Sequence, residues 1–437
     1  MVAEVVEALK VQNPWWETKE VPLELIGYKR DLDLKEFLKI REIKLITGVR
    51  RGGKSTLFYQ LIKELISEGT DPTSVLFINF DFNKFKGYSL DKVFQDYLEL
   101  TGVNPKEVYL FLDEVHHRDD WVPWVRRNYD LRTIKQIFIT DSSSKLMEKE
   151  YSKLLSGRNV KIVVFSLSFT EYLRFADIQI DDIKLVSSRT EAKIKSVLRD
   201  YLKFGAFPEV FFKSEQFKYK VLKDYFDDII NKDIGERYKV DVKKVKTLAQ
   251  YLLTNTSKII TERSIRNALG FGLETISDYV GYLQEVFLVS FVTPFSYSLK
   301  SQIKEMKKTY GIDTGLRNAI SFRFSEDIGR LYENVVFIEL KRRTAQDVLF
   351  DVYYWRDYQH REVDFVVKEG LNVKQLIQVC YDLNEDNKRR EVNNLILALK
   401  SFQLKEGFVI TNDYEGEEKI KGKKIKFIPL WKWLMTK

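Results

Sequence analysis

The sequence predicts an α/β protein that opens on a parallel sheet covered on both faces by helices, followed by helical segments and a second, smaller α/β fold. Three observations carry that expectation. Short β-rich runs alternate with helical patterns over the first two hundred residues, a glycine-rich basic turn joins the first run to the first long helix, and an acidic pair ends the third run. Strands separated by helices imply parallel pairing, because each crossover returns over a face of the sheet.

The β-rich runs fall at Ile43 to Thr47, Val75 to Phe80, Val108 to Leu112, Gln136 to Thr140 and Val160 to Phe165. After the first, STLFYQLIKELISEG sets Leu57, Phe58, Leu61, Ile62, Leu65 and Ile66 on one helical stripe and stops at Gly69. Glycine commonly ends a helix because it enters the left-handed region without a Cβ clash.

The totals bound what such a chain can be. Its 437 residues exceed one ordinary core, so two to four domains are expected. With 44% apolar and 31% charged residues it reads as globular, and no apolar run reaches the length of a membrane span. The opening MVAEVVEALKVQNPWWE carries acids and two tryptophans where a secretory leader has basic and then apolar residues, which points to a cytoplasmic protein. The single cysteine, Cys380, excludes an internal disulfide and a Cys-rich metal site, and the adjacent His116 and His117 would point to different faces. A net charge of +8, from 72 basic against 64 acidic residues, favours anionic partners only weakly. Abundant Lys, Glu and Ile with few His, Cys and Met suits adaptation to heat.

Gly48 to Ser55, GVRRGGKS, fits G-x-x-x-x-G-K-[ST] and sits between a strand and a helix, where a phosphate-binding loop belongs. Glycines let the backbone curl until its N–H groups converge on phosphate oxygens, and the helix N-terminus adds unpaired donors and a dipole worth ~1 kcal/mol. The nucleotide-contacting residues expected here are Gly48, Val49, Arg50, Arg51, Gly52, Gly53, Lys54, Ser55 and Thr56. Lys54 would reach the β- and γ-phosphates and Ser55 would ligate Mg²⁺, whereas Arg50 and Arg51 either touch nucleotide or only clamp the loop. VYLFLDEVHH then ends a strand in Asp113 and Glu114. Strand alternation sends these carboxylates in different directions, so Asp113 would hold the metal's shell while Glu114 polarises water. One strand fits between Lys54 and Asp113, the layout of P-loop NTPases with a catalytic glutamate, for which the strand order is 5-1-4-3-2. At the end of the next strand Thr140 or Ser142 would sense the γ-phosphate, in preference to Asp141. Arg158, before the fifth strand, would either compensate transition-state charge, in its own subunit or a neighbour, or form a core ion pair.

Beyond this domain, taken as 1–180, residues 181–245 read as a helical lid or connector, broken by YLKFGAFPEVF. Gly205 and Pro208 mark a turn there, either a lid on the nucleotide or an ordinary interhelical connection. Residues 246–310 resemble a winged helix-turn-helix. Its supposed recognition helix holds Glu274, Asp278 and Glu285 and no basic residue, while Lys258, Arg263 and Arg266 precede it and Lys300, Lys304, Lys307 and Lys308 lie in the supposed wing. Backbone contact with DNA through the wing, or plain domain packing, is expected over base readout. Residues 311–437 start another α/β fold in which helix residue Glu333, strand residue Asp364 and Gln378 on the following strand have the spacing of a PD-(D/E)xK nuclease site. Cys380 stands where that site has its lysine, so a relic or binding scaffold is expected rather than a live nuclease; Lys374 or Lys388 would have to supply the charge otherwise. The final EEKIKGKKIKF alternates as an edge strand with a solvated face.

Taken together, NPWWE, LITGVRRGGKST, VYLFLDEVHH, SSSKL, SGRNVKIVVFSLSFTEYL, GAFPEVF, KTYGIDTGLRN and REVDFVV resemble the archaeal and bacterial AAA-type ATPases that carry a C-terminal restriction-endonuclease-like domain of unknown function. The resemblance spans nearly the whole chain. It implies ATP and Mg²⁺ as ligands, oligomeric assembly, and functional roles for Lys54, Ser55, Asp113, Glu114 and Arg158, which fall on matching motif positions. Two departures stand out: Asp141 replaces a usual glycine, and Cys380 the lysine. The activity expected is Mg²⁺-dependent ATP hydrolysis that switches the conformation of the later domains. A nucleotide-regulated DNA-binding protein or nuclease, and a protein-interaction scaffold, are the alternatives.

Overall fold

The structure, a computed structural model, describes residues 2–115, 118, 120–141, 155–180, 182–296, 306–321, 327–347 and 349–436. The chain divides into two compact units, Met1–Phe165 and Ser166–Lys437. No helix among the described residues is long and apolar enough to cross a membrane.

The first unit is built on five strands: β1 (Ile43–Gly48), β2 (Val75–Asn79), β3 (Tyr109–Asp113), β4 (Gln136–Asp141) and β5 (Asn159–Val164). All pair in parallel, in the order β2-β3-β4-β1-β5, which is 5-1-4-3-2 from the other edge. Every residue of β1 and β3 is buried, as strands covered on both faces require. The helix Lys54–Ser67 buries Leu57, Phe58, Leu61, Ile62 and Leu65 against the sheet. Phe58 meets Phe111 edge-on at 5.1 Å, and Phe111 stacks on Phe138 at 4.4 Å, so the centre of this core is aromatic.

Strand β2 lies at an edge, and the stretch after helix Val2–Gln12 covers it. Asn13 exchanges two hydrogen bonds with the Phe77 backbone (2.9 and 2.7 Å), and Gln12 two with that of Asn79 (3.2 and 2.9 Å). The indole N–H groups of Trp15 and Trp16 both donate to the Val75 carbonyl. Side-chain amides thus occupy backbone groups that an edge would otherwise leave open.

The second unit begins with helices that include Phe169–Phe175, Ser188–Phe204 and Glu215–Asp228, the last continued by a π-helical turn, Ile229–Glu236. Where the sequence suggests a winged helix-turn-helix, helices Val242–Thr254, Glu262–Leu269 and Leu273–Glu285 accompany an antiparallel sheet of β6 (Ile259–Ile260), β7 (Val289–Val292) and β8 (Lys307–Gly311), with β8 central. A six-stranded sheet follows, of β9 (Phe350–Arg356), β10 (Glu362–Glu369), β11 (Asn372–Val379), β12 (Glu406–Thr411), β13 (Gly416–Ile420) and β14 (Lys423–Pro429), ordered β13-β14-β12-β11-β10-β9. Helix Ile328–Gln346 packs with Phe365, Val367 and Ile377, and helix Glu385–Ser401 with Val363, Val366 and Leu376, β10 changing register against β9 between Val363 and Val366. The terminal basic stretch is a hairpin in which only β13 is an edge; β14 is paired on both sides.

Two segments about a hundred residues apart lock together here. The Ala206 N–H donates to Asp313, whose other oxygen accepts from the Leu316 N–H, and Asn318 donates to the carbonyls of Leu202 and Lys203. Gly315 lies so close that a Cβ there would sit 1.9 Å from the Phe204 carbonyl oxygen. Burial pushes the Asp313 carboxyl up to about 6. The turn at Gly205 joins helices Ser188–Phe204 and Pro208–Phe211 and has these partners within the second unit.

Candidate functional site

The loop after β1 is shaped by close approach. Gly48 has φ 145° and a Cβ there would meet the Val164 carbonyl oxygen at 2.0 Å, so only glycine lets β1 pass β5 at this point. Gly53, at φ 95°, turns the chain into the helix that starts at Lys54. Lys54 is buried and folds back over the loop: its ammonium donates to the carbonyls of Gly48 (3.2 Å) and Val49 (3.3 Å) and lies 3.9 Å from a Glu114 carboxylate oxygen. Val49 is buried, Arg50 is half-buried, and Arg51 is exposed in the left-handed region. Thr56 is half-buried in the first turn of the helix.

Opposite the loop, Asp113 is fully buried at the end of β3. One carboxylate oxygen accepts from the Ser55 hydroxyl at 2.7 Å and the Asn79 amide at 3.0 Å, and the other from the Thr140 hydroxyl. Burial, reinforced by the neighbouring charge of Glu114, pushes the Asp113 carboxyl up to about 6. Glu114 takes φ 53°, a left-handed conformation uncommon for a non-glycine residue, and its N–H donates to Thr140 at 3.0 Å. Glu114, just past the end of β3, has a carboxylate oxygen 3.9 Å from Lys54, while Asp113 meets Ser55. Thr140 ties both to the end of β4. Ser142, like His116 and His117, lies outside the described residues.

Arg158 is not brought to this site. It precedes β5, its carbonyl accepts from the Ile43 N–H where β1 begins, and its guanidinium pairs with Asp130 at 2.7 Å. The phosphate loop follows the other end of β1, about 16 Å along the strand. It thus lies at the end of the sheet opposite that loop, and the ion pair it makes is solvent-accessible rather than core.

Arg30 went unread in the sequence. It is buried, and its guanidinium donates to the carbonyls of Gly52 (2.7 Å) and Phe165 (2.8 Å), stapling the phosphate loop to the end of β5. Gln60, on the helix behind the loop, donates to the carbonyls of Ile26 and Tyr28 and so fixes the segment that carries Arg30. No local motif marks this arginine, whose acceptors lie 22 and 135 residues away.

In the second unit Glu333, Asp364 and Gln378 do converge. The Gln378 amide donates to Asp364 and to Glu391, both at 2.8 Å. The charge beside them comes from neither Lys374 nor Lys388, which pair with Glu369 and Glu418. It comes from Lys308, which the sequence places in the supposed wing, for DNA-backbone contact or domain packing; it is only 2% exposed and bonded to Glu333, Glu362 and Asp364. Burial opposes its charge, but these carboxylates hold the ammonium well above its usual range. Cys380 is buried nearby, and burial raises its thiol to about 11. Of the other basic residues, Lys258, Arg263, Arg266 and Lys307 are exposed, and Lys300 and Lys304 lie outside the described residues.

Comparison with known proteins finds three matching regions. The family profile described as "AAA domain" matches residues 40–173, and two domains of unknown function, DUF8612 and DUF4143, match 195–327 and 328–433. An uncharacterized protein of Methanocaldococcus jannaschii is 35% identical over 422 residues, covering 93% of this chain and 91% of its own length. An uncharacterized protein of Haemophilus influenzae is 28% identical over 416 residues, covering 92% and 98%. Among solved structures, the Walker-type ATPase of Pyrococcus abyssi is similar at a TM-score of 0.38 and 15% identity, over 69% of this chain and 97% of that one.

Proposed function

The chain belongs to an AAA-type ATPase family, the one that includes the Methanocaldococcus jannaschii protein, and from that premise we propose that its first unit binds ATP with Mg²⁺ and hydrolyses it. One observation carries the reading. Ser55 and Asp113, the two groups suited to a magnesium ion, are already in contact at the mouth of the loop, with Lys54 beside them. Hydroxyl and carboxylate oxygens are the donors that a hard cation takes. Ser55 and Asp113 would hold that ion, which would supply positive charge to the phosphate oxygens.

The residues of the loop do the rest. Amides of 48–55, held open by the Arg30 staple, converge on the phosphates, and Lys54 exchanges the Gly48 and Val49 carbonyls for phosphate oxygens. As Lys54 moves off, Glu114, which lies 3.9 Å from its ammonium, is placed to accept a proton from a water aimed at the terminal phosphorus. Thr140 keeps Glu114 and Asp113 in register through this exchange. Arg158, at the opposite end of the sheet, serves a neighbouring copy. Turnover then drives conformational change in the two domains of unknown function.

The test is steady-state hydrolysis by the purified chain. Lys54→Ala should abolish turnover and weaken ATP binding, and a wild-type chain that binds no Mg²⁺-ATP would overturn the proposal. A second reading, in which nucleotide sets affinity for DNA, rests on the exposed Lys258, Arg263, Arg266 and Lys307 around the small sheet. DNA binding that weakens steeply with salt and responds to ATP would favour it.

A further inference from the structure

The spacing of Glu333, Asp364 and Gln378 suits a nuclease-type metal centre, yet the structure fills the place where the ion would go. Three carboxylates from two elements meet one atom, the Lys308 Nζ, at 2.9 Å (Glu333), 2.5 Å (Glu362) and 2.9 Å (Asp364). Oxygens gathered this tightly around one point are how a protein seats a cation, and here that cation is an ammonium. Two of these acids have further partners. The second Asp364 oxygen accepts from the Gln378 amide and the Val379 N–H, and Tyr310 donates to Glu333 at 2.7 Å. Among the described residues no group of three or more His, Cys, Asp or Glu side chains stands ready to hold a metal ion.

Lys308 does not belong to the sheet that carries these acids. It lies on β8, the central strand of the three-stranded sheet, where β6 and β7 pair on either side of it. Two residues on, and so on the same face, Tyr310 reaches the same glutamate and stacks on Phe337 at 4.2 Å. The ammonium is therefore delivered by a rigid element and is not a flexible surface side chain that settled by chance.

We propose that Lys308 is the resident cation of this carboxylate cluster and keeps divalent metal out of it, so that the C-terminal domain is closed as a metal site by a residue of the neighbouring small sheet. A divalent ion cannot share the three oxygens with the ammonium without close repulsion between like charges. Removing the ammonium while keeping its shape leaves three acids with no counter-charge, which a divalent ion then satisfies.

The experiment uses the full chain without nucleotide, titrated with Mn²⁺ and followed by calorimetry and thermal unfolding. Wild type and Asp364→Asn should take up Mn²⁺ equally. Lys308→Met should melt lower than wild type in chelator by about 5 °C or more, bind one further Mn²⁺, and regain its melting temperature as Mn²⁺ is added. Lys308→Met/Asp364→Asn should lose that extra ion. If Lys308→Met does not fold in chelator, its recovery on refolding with Mn²⁺ supports the proposal, and its failure to recover counts against it. Mn²⁺ uptake by wild type that Asp364→Asn removes, or a folded Lys308→Met with no extra ion, overturns it.

Discussion

Replacing Asp113 with its uncharged isostere separates what this carboxylate costs the nucleotide-free protein from what it contributes to binding. Burial and then the charge of Glu114 raise its pKa from 3.8 to about 6. At about 1.4 kcal/mol per pH unit, the difference amounts to about 3 kcal/mol. Below about pH 4 the group is protonated in folded and unfolded chains alike and makes no difference between them. From about pH 4 to about pH 6 the unfolded chain releases the proton while the folded one keeps it, so stability falls as pH rises; above that both are ionised and the full penalty remains. Asp113→Asn should therefore match wild type near pH 4 and exceed it by up to about 3 kcal/mol from about pH 7 upward. The amide fits the site, because the Thr140 hydroxyl that now donates to Asp113 can rotate to accept. Urea unfolding of the nucleotide-free protein at stepped pH reads the difference directly. The same variant should lose Mg²⁺-dependent ATP binding. Equal stabilities at every pH would refute the premise that this carboxylate is buried against its charge.

Three further outcomes are expected. Glu114→Gln should bind ATP as wild type does while its turnover number falls by about 10²- to 10⁴-fold, compared by fluorescent-nucleotide titration and phosphate release. Arg30→Ala should weaken ATP binding by roughly tenfold, because two charge-assisted hydrogen bonds that shape the loop are lost, and the same titration checks it. Gly315→Ala should destabilise the second unit by more than about 3 kcal/mol, since its Cβ collides with backbone that cannot swing aside, as a lowered calorimetric transition would show.

What was legible in the sequence is what is contiguous there. The strand, loop and helix around Lys54 follow one another without interruption, and Asp113 and Glu114 are reached by one strand order once the intervening strand is counted. Arg158 lies away from the loop for a reason that topology alone supplies. A residue entering a parallel strand sits at the end of the sheet opposite the loops that leave it. Arg30 and Lys308 were hidden differently, since each is defined by acceptors far along the chain. Lys308 meets acids 25 to 56 residues away, and alternation on a basic stretch looks the same whether a lysine faces solvent or carboxylates. The motif's spacing puts the lysine position at Cys380, whereas the charge arrives from another sheet.

The covering at β2 bears on how copies of this chain can associate. Val75, Phe77 and Asn79 present their outward backbone groups at a two-residue interval, and indole and amide groups near the N-terminus meet them at the same interval. Those side chains act as a counterfeit strand. A second molecule arriving at this border finds no vacant template, so stacking of sheets into a continuous ribbon is blocked there unless the two tryptophans are first prised away.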